Sequence, residues 1–289
     1  MGRKPKLRKP LPWFKIVVVK KMNRNSARSR TNRMASSAVC ALMLRAALTC
    51  LGDSSTADVR TIMEKAIQAQ NVTSNTSGIP RLTYTKINIT DEMDGNGDVK
   101  AHHEKTWDVF VSGSTNTWKL ISVNGHPPTP AELKLDAEVD NSVKALAGSG
   151  RHEDRLLSPD VLARYDFQLL RVASVNGRPA FEIAFTGKNP PLATHSLADR
   201  FLNRLSGRIW IDQAEYEVAQ ADIRLASQLD ILGGLVGSLK KVAFTMTRTR
   251  LSDGIWLSTW STGDFEARKL LKTIRIKLRS ESANIKPAT

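Results

Sequence analysis

Cysteine is nearly absent: the 289-residue chain has two, Cys40 and Cys50, and both fall within its first 57 residues. From residue 58 onward there is no thiol. If the first 57 are removed, a disulfide framework, a Cys-ligated metal and a cysteine nucleophile are all excluded. Long apolar runs are also scarce. The best, "MASSAVCALMLRAALTCLG" at 34–52, is interrupted by Arg45 and falls short of the roughly 20 apolar residues a membrane-spanning helix needs.

Signatures of catalysis are missing too. No Ser stands in a GxSxG turn, there is no HExxH or CxxC pair, and "GGLVGS" at 233–238 lacks the Lys that a phosphate loop places after its last Gly. "AHHEK" sends His102 and Glu104 to one strand face and His103 to the other, so they do not converge on a metal, and "RHED" at 151–154 reads as a polar loop. "DGNGD" at 94–98 imitates the start of a calcium loop, but Val99 and Lys105 occupy the places that need Gly and Glu, so it reads as a hairpin turn. Sequons at Asn71, Asn75 and Asn88 acquire meaning only in a eukaryotic secretory host. These residues indicate no enzyme, no cofactor and no metal.

The chain is rich in positive charge, at a formal +15. Of its 43 Lys/Arg and 28 Asp/Glu, residues 1–57 hold 13 and one, leaving 30 against 27 in the body. That near-balance gives no field suited to phosphate backbones, so nucleic acid is not an expected partner. The basic segment reads instead as an export leader. Arg24, Arg28, Arg30 and Arg33 precede the apolar run, and Ser55 and Ala57 form a small-x-small cleavage site. An uncleaved anchor is one alternative; lipidation of Cys50 within "ALTC" is another. Residues 1–21 look superfluous, with Met22 or Met34 the more ordinary start. Compartment and domain limits follow: a leader over 1–57, and one exported domain over 58–289 in a periplasm or cell envelope.

In the body, "DVRTIMEKAIQAQN" puts Val59, Ile62, Met63, Ala66 and Ile67 on one face at helical spacing. Strands follow, punctuated by Asp-Gly and Asn-Gly turns. Thr129, Pro130 and Glu132 form a capping box that opens a helix over 129–147, and Ser158-Pro159 opens another. "THSLADRFLNRLSG" reads as a short helical stretch stopped at Gly207. With nine to eleven antiparallel strands and helices inserted between hairpins, the expected class is α+β. Its core is a large curved antiparallel sheet, an unclosed half-barrel wrapped around those helices.

"GRIWID" at 207–212 is apolar on both faces. Trp210, Phe244, Trp256 and Trp260 all fall in strands of the second half, and Trp256 and Trp260, four apart, share a face by alternation. These four are the candidate lining of an apolar cavity between sheet and helices, with Ile209 and Ile211 turned the other way. Together "YTKINITDEMDGNGDVK", "NGHPPTPAE", "DFQLLRVASVNGRPAFEIAF", "LSGRIWID" and "DGIWLS" resemble bacterial outer-membrane lipoprotein-sorting-like proteins, distant members of the LolA/LolB superfamily, over roughly 79–280. The resemblance implies an unclosed antiparallel barrel around helices and a cavity that receives acyl chains. The expected ligand is therefore a lipid or lipoprotein acyl chain. The alternative is a structural or interaction protein of the envelope with a filled core, which docks a partner through a sheet edge.

Overall fold

The computed structural model describes residues 54–75, 81–112, 115–147, 157–231, 237–270 and 272–288. Cys40, Cys50, the leader up to Asp53, "GSG" at 148–150 and "RHED" lie outside them. The first described element is helix α1 (Ser54–Asn75), which begins four residues before the expected Asp58. Strands β1 (Leu82–Met93), β2 (Val99–Ser112) and β3 (Thr115–Val123) follow, then helices α2 (Pro130–Ala147) and α3 (Pro159–Arg164). The chain continues through β4 (Tyr165–Val175), β5 (Arg178–Gly187), helix α4 (Leu197–Leu202), β6 (Leu205–Asp212), β7 (Val218–Leu225) and β8 (Leu229–Ile231). It ends with β9 (Gly237–Arg250), β10 (Trp256–Lys269) and β11 (Lys272–Pro287). No described helix is long and apolar enough to cross a membrane.

All 11 strands form one antiparallel sheet in the order β3-β2-β1-β11-β10-β9-β7-β6-β5-β4, with β8 beside β9. The chain closes the middle of the sheet last, where β11 slots between β1 and β10. β3 and β4 do not pair with each other, so the sheet is unclosed. The expected α+β architecture is the one observed.

Local chemistry accounts for the joints. At the β1–β2 turn, Asp94 Oδ1 accepts from the backbone N–H of Asn96, Gly97 and Asp98, and these bonds hold its carboxyl below the usual range. Asn176 and Gly177 turn β4 into β5 with φ of 50° and 77°, the left-handed pair that a two-residue hairpin requires. The capping box forms as expected: Glu132 accepts from the Thr129 N–H at 2.8 Å, and Thr129 Oγ1 accepts from the Glu132 N–H. Gly207 is a correction. It does not stop a helix; α4 ends at Leu202, and Gly207 lies inside β6, where a Cβ would meet the Asp222 backbone oxygen at 1.9 Å.

Two apolar cores sit on the helix-bearing face. In the first, the α1 stripe of Val59, Ile62, Met63, Ala66 and Ile67 packs on Ile183, Ile209, Ile211, Val218, Ala221 and Met246. Val59, Ile62, Met63 and Ile67, each worth about 1.5–3 kcal/mol when buried, anchor α1 to the sheet, with the smaller Ala66 between them. The second core joins Leu82, Tyr84, Trp107, Val109, Val111, Leu120 and Val123 on β1–β3. Asp136 of α2 is tied to it, accepting from Lys105 Nζ at 2.8 Å and Trp107 Nε1 at 3.1 Å.

Candidate functional site

Between the two cores runs the middle of the sheet, β9, β10 and β11. Its sequence alternates: Val242 and Phe244 against Lys241 and Ala243, Phe265 against Asp264 and Glu266, and Ile274, Ile276 and Leu278 against Arg275, Lys277 and Arg279. The register aligns these residues into rungs, Phe244–Gly263–Leu278 and Val242–Phe265–Ile276. Phe244 packs against the α1 core, so both rungs lie on the helix-bearing face. Val242 is buried, while Phe244, Phe265, Ile276 and Leu278 are only partly covered. Toward β1 the same face turns polar, where Ser280 donates to Asn88 and Lys86 donates to Ser282. The result is a half-covered apolar strip, bordered by the α1 core on one side and a hydrogen-bonded polar seam on the other.

Of the four expected lining residues, Phe244 alone stands on this strip. Trp210 is on the opposite face. Ile209 and Ile211 are the ones that meet α1, which reverses the expected orientation of the strand. Trp210 is 9% exposed and packs with Val175, Ala180, Ala219 and Trp256 in a third, small cluster. Trp256 and Trp260 differ in burial, and a register shift between Ser258 and Trp260 interrupts the alternation between them. Trp256 is buried at 7% exposure, and Trp260 is 37% exposed. By register Trp260 lines up with Thr247, Gln220 and Trp210 on the face away from α1. Phe265, Ile276 and Leu278 were not among the expected lining residues, although the alternation in "TIRIKL" carries the signal.

Ion pairs fix the Trp210 end of the sheet. Arg178 grips Asp212 with two bonds, at 2.7 and 2.9 Å, and its guanidinium lies 5.7 Å from the Trp256 ring centre. Burial pushes the Asp212 carboxyl up. The Arg178 hydrogen bond, the Glu215 N–H, the Arg178 charge and the Ala214 N–H outweigh that push and hold it below its ordinary range. Glu215 accepts from Arg250 and from Trp256 Nε1 at 2.7 Å. Glu217 accepts from Arg248 at 2.8 Å, with both side chains almost fully buried. Each acid in "DQAEYE" therefore has an arginine partner, which pins the β6–β7 turn to β5 and β9. Glu182, cross-strand from Trp210 and 1% exposed, is held below the usual range first by its hydrogen bond from Arg171 and then, against burial, by Arg208 as well. Each of these carboxylates is held by a guanidinium.

Among the described residues no three His, Cys, Asp or Glu gather as a metal site. His102 is bonded to Asp91 at 2.6 Å. A cleft of about 350 Å³ opens over β9–β11 on the face away from the described helices, lined by Asp91, Thr245, Thr262, Asp264, Lys277 and Arg279 together with Ala243, Gly263 and Leu278, and by none of the expected aromatics.

No protein-family model matches the chain, and comparison with curated proteins finds no match. Among solved structures, similarity spans 80% of this chain in each of three cases. A DUF1329 family protein from Desulfovibrio piger is 13% identical, with 93% of that chain covered and a TM-score of 0.31. A LolA superfamily protein from Nitrosomonas europaea is 11% identical, with 94% covered and a TM-score of 0.26. A chain of the MucA/MucB complex from Pseudomonas aeruginosa is 10% identical, with 99% covered and a TM-score of 0.27. Likeness at this level carries no functional argument. The chain's own topology, an unclosed antiparallel sheet of 11 strands with helices, is consistent with the LolA-like half-barrel.

Proposed function

We propose that this chain is an exported cell-envelope protein that holds an apolar ligand, a lipid or lipoprotein acyl chain, non-covalently on the helix-bearing face of its sheet. The observation that carries the reading is the strip formed by Phe244, Phe265, Ile276 and Leu278, left partly open beside a fully packed core. An acyl chain laid along it removes apolar surface from water on both partners, worth about 0.8 kcal/mol per buried methylene. Neither cofactor nor covalent step enters, and the polar seam of Lys86, Asn88, Ser280 and Ser282 sets where the apolar floor stops. The leader over 1–57 serves export in this reading, with cleavage after Ala57 or lipidation at Cys50. Residues 58–289 then act as a single domain.

The test is mass spectrometry of lipids extracted from protein purified out of its native host. Acyl lipids recovered at a reproducible molar ratio are expected. Delipidated protein that neither carries nor rebinds an acyl chain would end the reading.

A second reading, docking of an envelope protein partner by a domain with a filled core, is favoured by the packing of Trp210 and by the unclosed edges. Among the described residues β3 pairs only with β2, and Trp118 on it is 37% exposed; β4 pairs only with β5 and carries Val172 at 55% exposure.

A further inference from the structure

We propose that the cleft over β9–β11, on the face away from the described helices, is a second binding site, specific for a phosphate group. The strand register builds it. Thr245, Thr262 and Arg279 form one rung, and Ala243, Asp264 and Lys277 form the next. These six share the face opposite Phe244 and Leu278. Ala243, Thr245 and Thr262 are short, so the floor over β9 and β10 is low, while the long side chains of Lys277 and Arg279 rise from β11 beside it. The hollow measures about 350 Å³, at the lower end of the range for small-ligand sites.

Charge decides what it takes. Two carboxylates stand in the wall, each cross-strand from Lys277, and each has another partner: Asp264 accepts from Lys241 through side chains that are about half exposed, and Asp91 is bonded to His102. Lys277 lies between them and has no hydrogen-bond or ion-pair partner among the described residues. Arg279 meets only Glu281, at 3.3 Å, through side chains that are 58% and 47% exposed. A contact that exposed contributes little and is easily exchanged. The acids that end the Arg279 rung on either side, Glu104 and Asp222, stand two and three strands away. At the usual strand spacing that is about 10 and 14 Å, beyond a physiological Debye length of about 8 Å. The cleft thus offers a free ammonium, a largely free guanidinium and two threonine hydroxyls around one hollow. A tetrahedral oxyanion, with several strong acceptors and up to two charges, uses all four.

Free phosphate compounds and phospholipid headgroups share this chemistry, and the experiment separates them. Whole mature protein is titrated calorimetrically with inorganic phosphate, and pelleted with phosphatidylglycerol vesicles against phosphatidylcholine vesicles. Lys277→Gln is the test variant, and Lys286→Gln, an exposed lysine at the far end of β11, is the control. Equal melting temperatures show that both variants are folded. Saturable binding of inorganic phosphate, weakened about tenfold or more by Lys277→Gln and not by Lys286→Gln, is the expected result. The same pattern with phosphatidylglycerol vesicles alone supports the site with a lipid headgroup as its source. Absence of binding in both arms, or equal losses in the two variants, overturns it. The phosphate arm carries no acyl chain, and the vesicle arm reads only the difference between two headgroups on the same chains and its loss in Lys277→Gln, so the result is independent of the ligand proposed on the opposite face.

Discussion

Replacing Trp210 with alanine separates a packed joint from a ligand wall. The indole is 9% exposed, so nearly all of a side chain that buries about 200 Å² is out of water. At about 25 cal/mol per Å² the transfer loss alone is about 5 kcal/mol, an upper figure because denatured chains retain some burial. The neighbours cannot refill the space: Ala180 and Ala219 are single methyl groups, and Trp256 is tethered through its Nε1 to Glu215. The cavity therefore persists, and a loss of about 3–5 kcal/mol is expected, in the upper half of that range. Trp210→Phe keeps most of the volume and should lose less than half as much. Urea denaturation measures this through a fall in midpoint at unchanged slope. A loss below about 1 kcal/mol for Trp210→Ala, together with weakened binding of an acyl probe, would refute the packing assignment and return Trp210 to the ligand site.

Three further outcomes follow from the ion pairs and from one tyrosine. Arg248→Met leaves Glu217 buried without its cation and is expected to cost about 3–5 kcal/mol in chemical denaturation; the double change with Glu217→Gln should recover a good part of it. Asp212, Glu182 and Asp199 all have carboxyls depressed by folding, so the unfolded chain binds more protons. The stability they contribute is complete above the unfolded values near about 4, and it falls as pH drops from there through the folded values, which acid titration of the midpoint reads directly. At the alkaline end, burial pushes the Tyr165 hydroxyl up to about 12, so its contribution is full below about 10 and is lost as pH rises from 10 toward 12. Tyr165→Phe should flatten that limb.

Much of the architecture is legible in local patterns. The α1 stripe, the Thr129–Glu132 box and the turns at Asp94 and Asn176 are each written in a few adjacent residues. Each element they specify forms, with α1 longer than expected at both ends. What is not legible depends on partners distant in sequence. A strand that is apolar on both sides, like "RIWI", does not say which side a helix will cover; that is settled by α1, some 150 residues earlier in the chain. Alternation says nothing of the register shift near Thr259, and of the pair Trp256 and Trp260 it is Trp256 that is buried. Gly207 looks like a helix stop in sequence because nothing local reveals the Asp222 oxygen that requires it. On the candidate strip, Phe244 stands out as an aromatic in a strand. Ile276 and Leu278 do not stand out, because alternating aliphatics are the ordinary composition of any half-buried strand.

The central claim is that the open strip on β9–β11 binds an acyl chain, and titration of the mature protein with a fluorescent fatty acid tests it most directly. Ile276→Glu places a charge in the middle of the strip without touching the α1 core or the Arg–carboxylate joints. The account expects saturable binding by the parent protein and a loss of about tenfold or more in Ile276→Glu, with the denaturation midpoint little changed. Failure of the parent protein to bind, or undiminished binding by Ile276→Glu, would contradict it.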